Sequence, residues 1–376
     1  MQQNAVERSR MQQNAVERSS KQYERSKRTI MTKNEEKMLS ILRELKEKYN
    51  AIGIRGEFEA EGSRINELML LSRLGALSSL KLFIKVGGCE AISDIRKAKE
   101  LGAYGILAPM IESGFAVKKF KEAIRKVYGS GYNVRNFENV QGTKNTPKTK
   151  ETEYISNEPG AANAIVASKV ETIINIETVT GYENLDSILK EGQGEIDTVS
   201  IGRVDLSASL GIDRSGINSD KILSITKDIM EKSKQYGYRV NFGGGISEDA
   251  IPFIEELFPL NDRFETRKIV FDLTTLRDDT KKMETECLKS STNKVTSEFL
   301  KNGSQKIAPE FLKSDLQKIA PEFLKSDLQK INPEFLKSAI KKATEFELLY
   351  LENKRNYYGI IAKEDEERIE MLRKRI

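Results

Sequence analysis

The chain has no histidine and no tryptophan among its 376 residues. Without imidazole there is no Ser-His-Asp or Cys-His triad, no histidine-ligated zinc and no histidine general base. Any catalysis falls to carboxylates, lysine, arginine, tyrosine, cysteine or a metal held by oxygen ligands. Cysteine is scarce: Cys89 and Cys287 are too few for a disulfide framework. Cys89 follows a glycine pair and reads as structural, and Cys287 reads as inert. Long apolar runs are missing, since no stretch approaches the roughly 18 consecutive apolar residues of a membrane span. The polar start lacks the apolar core of a signal peptide. A strong excess of one charge is missing too. Lys and Arg number 62 against 57 Asp and Glu, and a net +5 is mild for so long a chain. That balance does not indicate a dedicated nucleic-acid binder. Together these absences point to a soluble, cytoplasmic protein with no nucleic-acid or membrane partner.

Charge of both signs is plentiful, at 32% of residues, against roughly 25% in ordinary globular proteins. The length suits one large domain with extras, or two domains. Residues 1–9, MQQNAVERS, recur at 11–19. The Gln-, Ser- and Arg-rich stretch 1–33 reads as a disordered tail. A second repeat occupies 305–340, with near copies twelve residues apart, each holding one proline: Pro309, Pro321 and Pro333. Proline suits the first position of a helix and breaks its interior, so each copy reads as a short helix starting at its proline. The copies read as a spacer grown by duplication or as an array that binds a partner. The organisation expected is a tail (1–33), a barrel (34–285), a repeat-bearing linker (286–338) and a C-terminal helical extension (339–376), which could cover a neighbouring subunit.

Between the repeats, strand-like and helix-like patterns alternate. Met38, Leu39, Ile41, Leu42 and Leu45 form a helical stripe. Strands are expected at 52–61, 82–86, 104–109, 171–177, 197–202, 237–242 and 267–272. The helical patterns between them include 90–101, 114–128, 182–190, 219–235 and 247–256. The polar stretch 129–160, with Lys144, Lys148 and Lys150, reads as a surface insertion. Repeated βα units imply a parallel sheet with helices outside. The span suits an α/β fold of the (β/α)8 TIM-barrel type, one strand short, with a doubly wound sheet as the alternative.

Such a barrel places chemistry at the C-terminal ends of its strands, and five places there carry suitable residues. In GEFEAEG, Glu57, Glu59 and Glu61 alternate along a strand and share a face. Clustered carboxylates repel, which raises at least one pKa and suits a general base or a metal site. The alternative is a charged, solvated edge. Lys85 ends FIKVGG, where it could stabilise an enolate, form a Schiff base or sit at the barrel rim. Asn175 and Glu177 end the apolar strand IINIET on one face, and a buried Glu177 needs a cation or a basic partner. Arg203 and Asp205 follow the next strand. Glu177 and Asp205 at neighbouring strand ends suit Mg²⁺ or Mn²⁺ completed by water or substrate oxygens; a salt bridge from Glu177 to Arg203 is the other reading. Gly243, Gly244 and Gly245 form a turn that could bind phosphate through backbone N–H groups.

Three blocks in order, KVGGCEAISDIRKAKELGAYGILAPMIES, INIETVTGYENLDSIL and VSIGRVDLSASLG, resemble the HpcH/HpaI aldolase/citrate lyase family. The likeness covers roughly residues 50–275. It implies a barrel of the phosphoenolpyruvate/pyruvate-binding kind, acting on bonds next to a 2-oxo acid such as pyruvate or on acyl-CoA thioesters. By that resemblance Glu177 and Asp205 hold the divalent metal, Asn175 lies near the substrate, and Pro109-Met110 is the strand-end element. Two positions depart from the family. Lys85 stands where an arginine is usual, and carboxylates stand where a histidine is usual. The resulting expectation is a metal-dependent carbon–carbon lyase, with Glu57, Glu59 or Glu61 moving the proton and Lys85 adding positive charge. Asn175, Arg203, Gly243 and Gly244 are expected to hold the substrate, and the barrel to form a homo-oligomer. The rivals are a non-catalytic carboxylate- or phosphate-binding barrel with an assembly role, and a Schiff-base aldolase through Lys85.

Overall fold

The computed structural model describes residues 31–58, 61–129, 170–277, 331–359 and 361–376. The duplicated tail, most of the polar insertion with its three lysines, Glu59, Cys287 and the repeats at Pro309 and Pro321 lie outside the described residues.

Helix α1 (Lys33–Tyr49) starts at a capping box in which Thr32 and Glu35 satisfy each other's backbone N–H groups. It leads into β1 (Ala51–Glu57). Then follow α2 (Ile65–Ser78), β2 (Lys81–Lys85), α3 (Ile92–Glu100), β3 (Gly105–Ala108) and α4 (Gly114–Tyr128). After the insertion come β4 (Glu171–Ile176), α5 (Val179–Glu183), α6 (Leu185–Gly192), β5 (Thr198–Gly202), α7 (Arg203–Ser209), α8 (Asp220–Gln235), β6 (Arg239–Gly243) and α9 (Ile251–Leu257). The chain then makes β7 (Arg263–Glu265) and β8 (Ile269–Asp272), and ends in α10 (Pro333–Tyr358) and α11 (Lys363–Arg373).

The eight strands close into a barrel in sequence order. Strands β1 to β7 pair in parallel. The eighth departs from the uniform βα pattern: β8 runs antiparallel to both β7 and β1. A short turn, Thr266 to Lys268, replaces a crossover helix. The vacant place in the outer layer is taken by α10, which lies between α9 and α1. Its buried residues Leu336, Ala339, Ile340, Ala343, Phe346, Tyr350 and Leu351 recur at helical spacing. The C-terminal helix therefore belongs to its own barrel. It begins at Pro333, with Asn332 as its cap, and carries no break at 338–339. Pro333 opens a helix as expected, but that helix runs 26 residues.

An apolar cluster of Phe83, Leu107, Ile173 and Val270 fills the inside of the barrel. The Phe83 ring lies against Gly53 and Gly105 on the flanking strands, where a Cβ would overlap it. Below this plug, Glu171 opens β4 with no exposure. Its Oε1 accepts hydrogen bonds from Thr198 (2.7 Å), Arg239 (2.8 Å) and Arg263 (2.7 Å). Burial alone would raise the Glu171 pKa, but the two guanidiniums and the hydroxyl more than offset it and hold the carboxyl below its ordinary value.

Candidate functional site

The C-terminal strand ends open into a cleft of about 830 Å³. Glu177 stands just beyond β4 and is 1% exposed. Its Oε1 accepts the Met110 N–H at 3.0 Å, and its Oε2 accepts from Asn175 Nδ2. Met110 takes a left-handed conformation (φ 51°) as it delivers that amide, a rare geometry for a residue with a side chain. The alternative Glu177–Arg203 bridge does not form, since Arg203 donates to Asn218 and Gly244, and no ion pair reaches Glu177 among the described residues. Burial pushes its pKa up to about 7. Lys85, the Met110 amide and Arg55 pull it down, while Asp205 pushes it further up.

Asp205 lines the same cleft, from the first turn of α7. Asn175 also lines it, and its buried Oδ1 has no hydrogen-bond partner. Two carboxylates in one field, beside an orphaned amide oxygen, make a hard, oxygen-only donor set. That chemistry fits a divalent cation of the Mg²⁺ or Mn²⁺ kind. No group of three or more acidic or cysteine side chains converges as a metal cluster among the described residues, so water or substrate oxygens would complete the shell.

Gly202 makes room for this arrangement. A Cβ there would overlap Glu177 Oε2, lie 2.9 Å from Glu177 Cβ and 3.0 Å from Asn175 Nδ2. Gly243 pairs with Gly202 in register and does the same for Glu265, whose Oε1 would lie 2.9 Å from an added Cβ. Gly202→Ala is therefore expected to displace the Glu177 carboxylate. Divalent-metal affinity, read by isothermal titration, should fall at least about tenfold, as for lost support of a metal ligand, while circular dichroism stays native.

The other expected site residues divide. Glu57 and Lys85 are register partners, line the cleft and pair at 3.3 Å. Glu61 also lines the cleft, but β1 stops at Glu57, so it does not continue a strand face. It pairs with Lys268 and, at 2.9 Å, with Arg267. Burial would raise the Glu61 pKa, yet these two cations hold it below its ordinary value. It stays ionised and is a weak base. Gly243 and Gly244 line the cleft, and Gly244 and Gly245 need their positive φ (85° and 64°) for the turn. Arg203 is fully buried beneath that turn, away from the cleft lining. It donates to Asn218 Oδ1 (2.7 Å) and Gly244 O (2.8 Å) and lies over Phe242 and Phe253. Burial pushes its pKa down to about 9. It braces the glycine turn from behind instead of holding a substrate. Cys89 is half-buried against the core, and burial raises its thiol pKa, which suits an inert thiol.

Some lining residues escaped the sequence reading. Arg55 projects into the cleft from β1 and pairs with Glu265 on β7. The strand alternation that brings Glu57 inward also brings Arg55 inward, two positions earlier, so that signal was present. Arg214, Arg368 and Arg375 also line the cleft, the last two from α11 and its end. Nothing local in the sequence announced them.

A model of the HpcH/HpaI aldolase/citrate lyase family matches residues 65–241. Among solved structures, an HpcH/HpaI aldolase/citrate lyase family protein from Burkholderia cenocepacia J2315 is 17% identical with a TM-score of 0.43, covering 66% of this chain and 90% of that one. An HpcH/HpaI aldolase from Desulfitobacterium hafniense DCB-2 is 16% identical with a TM-score of 0.43, covering 66% and 88%. The citrate synthase SbnG is 22% identical with a TM-score of 0.40, covering 69% and 90%. A search of curated proteins finds no match.

Proposed function

We propose that this chain, which carries an HpcH/HpaI aldolase/citrate lyase domain over residues 65–241, is a divalent-metal-dependent carbon–carbon lyase acting on a 2-oxo acid or related carboxylate. The family match supports a lyase-type reaction. The observation that carries the finer reading is the buried Glu177, in no ion pair among the described residues, with Asp205 lining the same cleft and raising its pKa. Glu177 and Asp205 would hold the cation, which when bound supplies Lewis-acid polarisation of the ketone and carboxylate oxygens.

The rest falls to the chain's own side chains. Arg55 and Lys85 bring positive charge to the floor of the cleft, where charge develops as the bond breaks. Arg55 offers the bidentate grip on a carboxylate that Lys85 cannot. Asn175 orients Glu177 and presents its free oxygen to the bound group. Glu57 takes the proton from the aldol hydroxyl. The adjacent carbon–carbon bond breaks, its electron pair passes to the 2-oxo fragment as an enolate, and an aldehyde or ketone leaves. Glu57 then returns the proton to the enolate carbon. Its partner Lys85 keeps the carboxylate oriented between the two transfers.

The test is exchange of pyruvate methyl protons in deuterated water, followed by NMR with Mg²⁺ or Mn²⁺ present. Exchange that requires the metal supports the reading. Exchange that survives a chelator and is lost in Lys85→Ala replaces it with Schiff-base chemistry. No exchange with pyruvate or other 2-oxo acids, despite bound metal, sinks it.

A further inference from the structure

Four arginines gather at the outer wall of the cleft: Arg214 from the turn after α7, Arg267 from the β7–β8 turn, and Arg368 and Arg375 from the C-terminal end of the chain. Two of them are neutralised. Arg267 pairs with Glu61 at 2.9 Å, and Arg368 makes a two-pronged bond to buried Glu347 at 2.8 and 2.9 Å. The other two have no ion-pair partner among the described residues, and both are exposed. The Arg214 pKa is lowered, first by burial and then by Arg368, Arg375 and Arg267. Like charges thus face one another across the opening, although exposed arginines have room to swing apart.

The floor is different in character. There Glu57 answers Lys85, Glu265 answers Arg55, and Glu177 and Asp205 form no ion pair among the described residues. A cleft of about 830 Å³ is in the range of pockets that enclose drug-sized ligands, roughly 300–1,000 Å³. It has far more space than a three-carbon acid needs.

We infer that Arg214 and Arg375, with Arg368 behind them, form a second anion subsite at the mouth, which takes the distal phosphate or carboxylate group of a substrate reacting at the floor. The role of the floor rests on the function proposed above; the anion subsite itself does not. Guanidinium forks match both phosphate and carboxylate bidentately. Glu347 fixes the subsite, because its bond to Arg368 anchors α11 over the opening.

The experiment uses the full chain stripped of metal, so that anion binding is read without chelation. Calorimetric titration at low salt is run with inorganic pyrophosphate and, separately, with tricarballylate. Both variants, Arg214→Ala/Arg375→Ala and the surface control Arg96→Ala, change exposed side chains. At least one anion should bind the wild type, with the double variant weaker by about tenfold or more, or 1.4 kcal/mol, and the control unchanged. Pyrophosphate alone binding assigns a phosphorylated substrate, and tricarballylate alone a polycarboxylate. Equal binding by the double variant, or no binding of either anion, overturns the subsite. Absent 2-oxo acid exchange with intact anion binding instead removes the lyase reading and leaves the subsite standing.

Discussion

Glu177→Gln is expected to abolish metal-dependent proton exchange, by more than about 100-fold, while making the metal-free protein more stable at neutral pH. Losing even an outer support of a metal site costs about 10–100-fold, and here the donor itself becomes neutral. The amide keeps the shape of the carboxylate and can still accept the Met110 N–H. Stability moves the other way because the wild-type carboxyl has a folded pKa near 7, raised chiefly by burial. For an acid raised above its unfolded value, the stabilising form is the protonated one. Its contribution is full below the ordinary carboxylate pKa and is lost as pH rises towards 7. At pH 8 the ionised group therefore costs the metal-free wild type ~3 kcal/mol, and the glutamine variant escapes that cost. Urea denaturation of both proteins at pH 5 and pH 8 checks this: the curves should converge at the lower pH. Mn²⁺ should raise the wild-type melting temperature and leave that of the variant unmoved. A variant that binds Mn²⁺ normally and exchanges at the wild-type rate would remove Glu177 from the site.

Glu171→Ala is expected to be the most damaging change to the fold, at about 3–5 kcal/mol, because it removes the buried carboxylate that two guanidiniums share inside the barrel. Arg239 and Arg263 both donate to the same carboxylate oxygen, and Glu171 itself has no exposure. The pH sign is opposite to that of Glu177. Its folded pKa lies below the unfolded value, so its stabilisation is present above the ordinary carboxylate pKa and is lost as pH falls. Chemical denaturation from pH 7 down to pH 3 should show the wild type losing stability towards that of the variant. If Glu171→Ala unfolds at the wild-type urea midpoint, the buried cluster has no structural weight.

How much of this was legible in the sequence depends on pattern length. The first six strands were found close to their true positions, because each holds β-branched or aromatic residues in a short segment set between helical stripes. Strand β7, Arg-Phe-Glu, was missed because three residues offer no alternation to count. The hairpin into β8 stayed hidden for the same reason, and with it the antiparallel closure. That Glu177, Asp205 and Asn175 line the cleft was readable because polar residues at or just past the end of a buried strand are conspicuous. Glu61 was misjudged because Lys268 and Arg267, which hold it ionised, lie more than two hundred residues away in sequence. The cationic mouth was invisible for a related reason. α11 reads as a charged surface helix until Glu347 of α10 ties it across the cleft.

The antiparallel course of β8 also separates tinkering from chemistry. Because β8 runs back from the mouth, the chain leaves the barrel beside the start of β7, where Asp272 pairs with Arg263 and its amide bonds to Asn50 O. It rejoins the barrel near the same end, where Phe335 meets Tyr49. The points where the described chain breaks off and resumes thus both lie at the barrel end away from the carboxylates. Removing one twelve-residue copy from the stretch between them should leave metal affinity at the Glu177 and Asp205 cleft unchanged, as read by isothermal titration, because neither junction reaches that cleft.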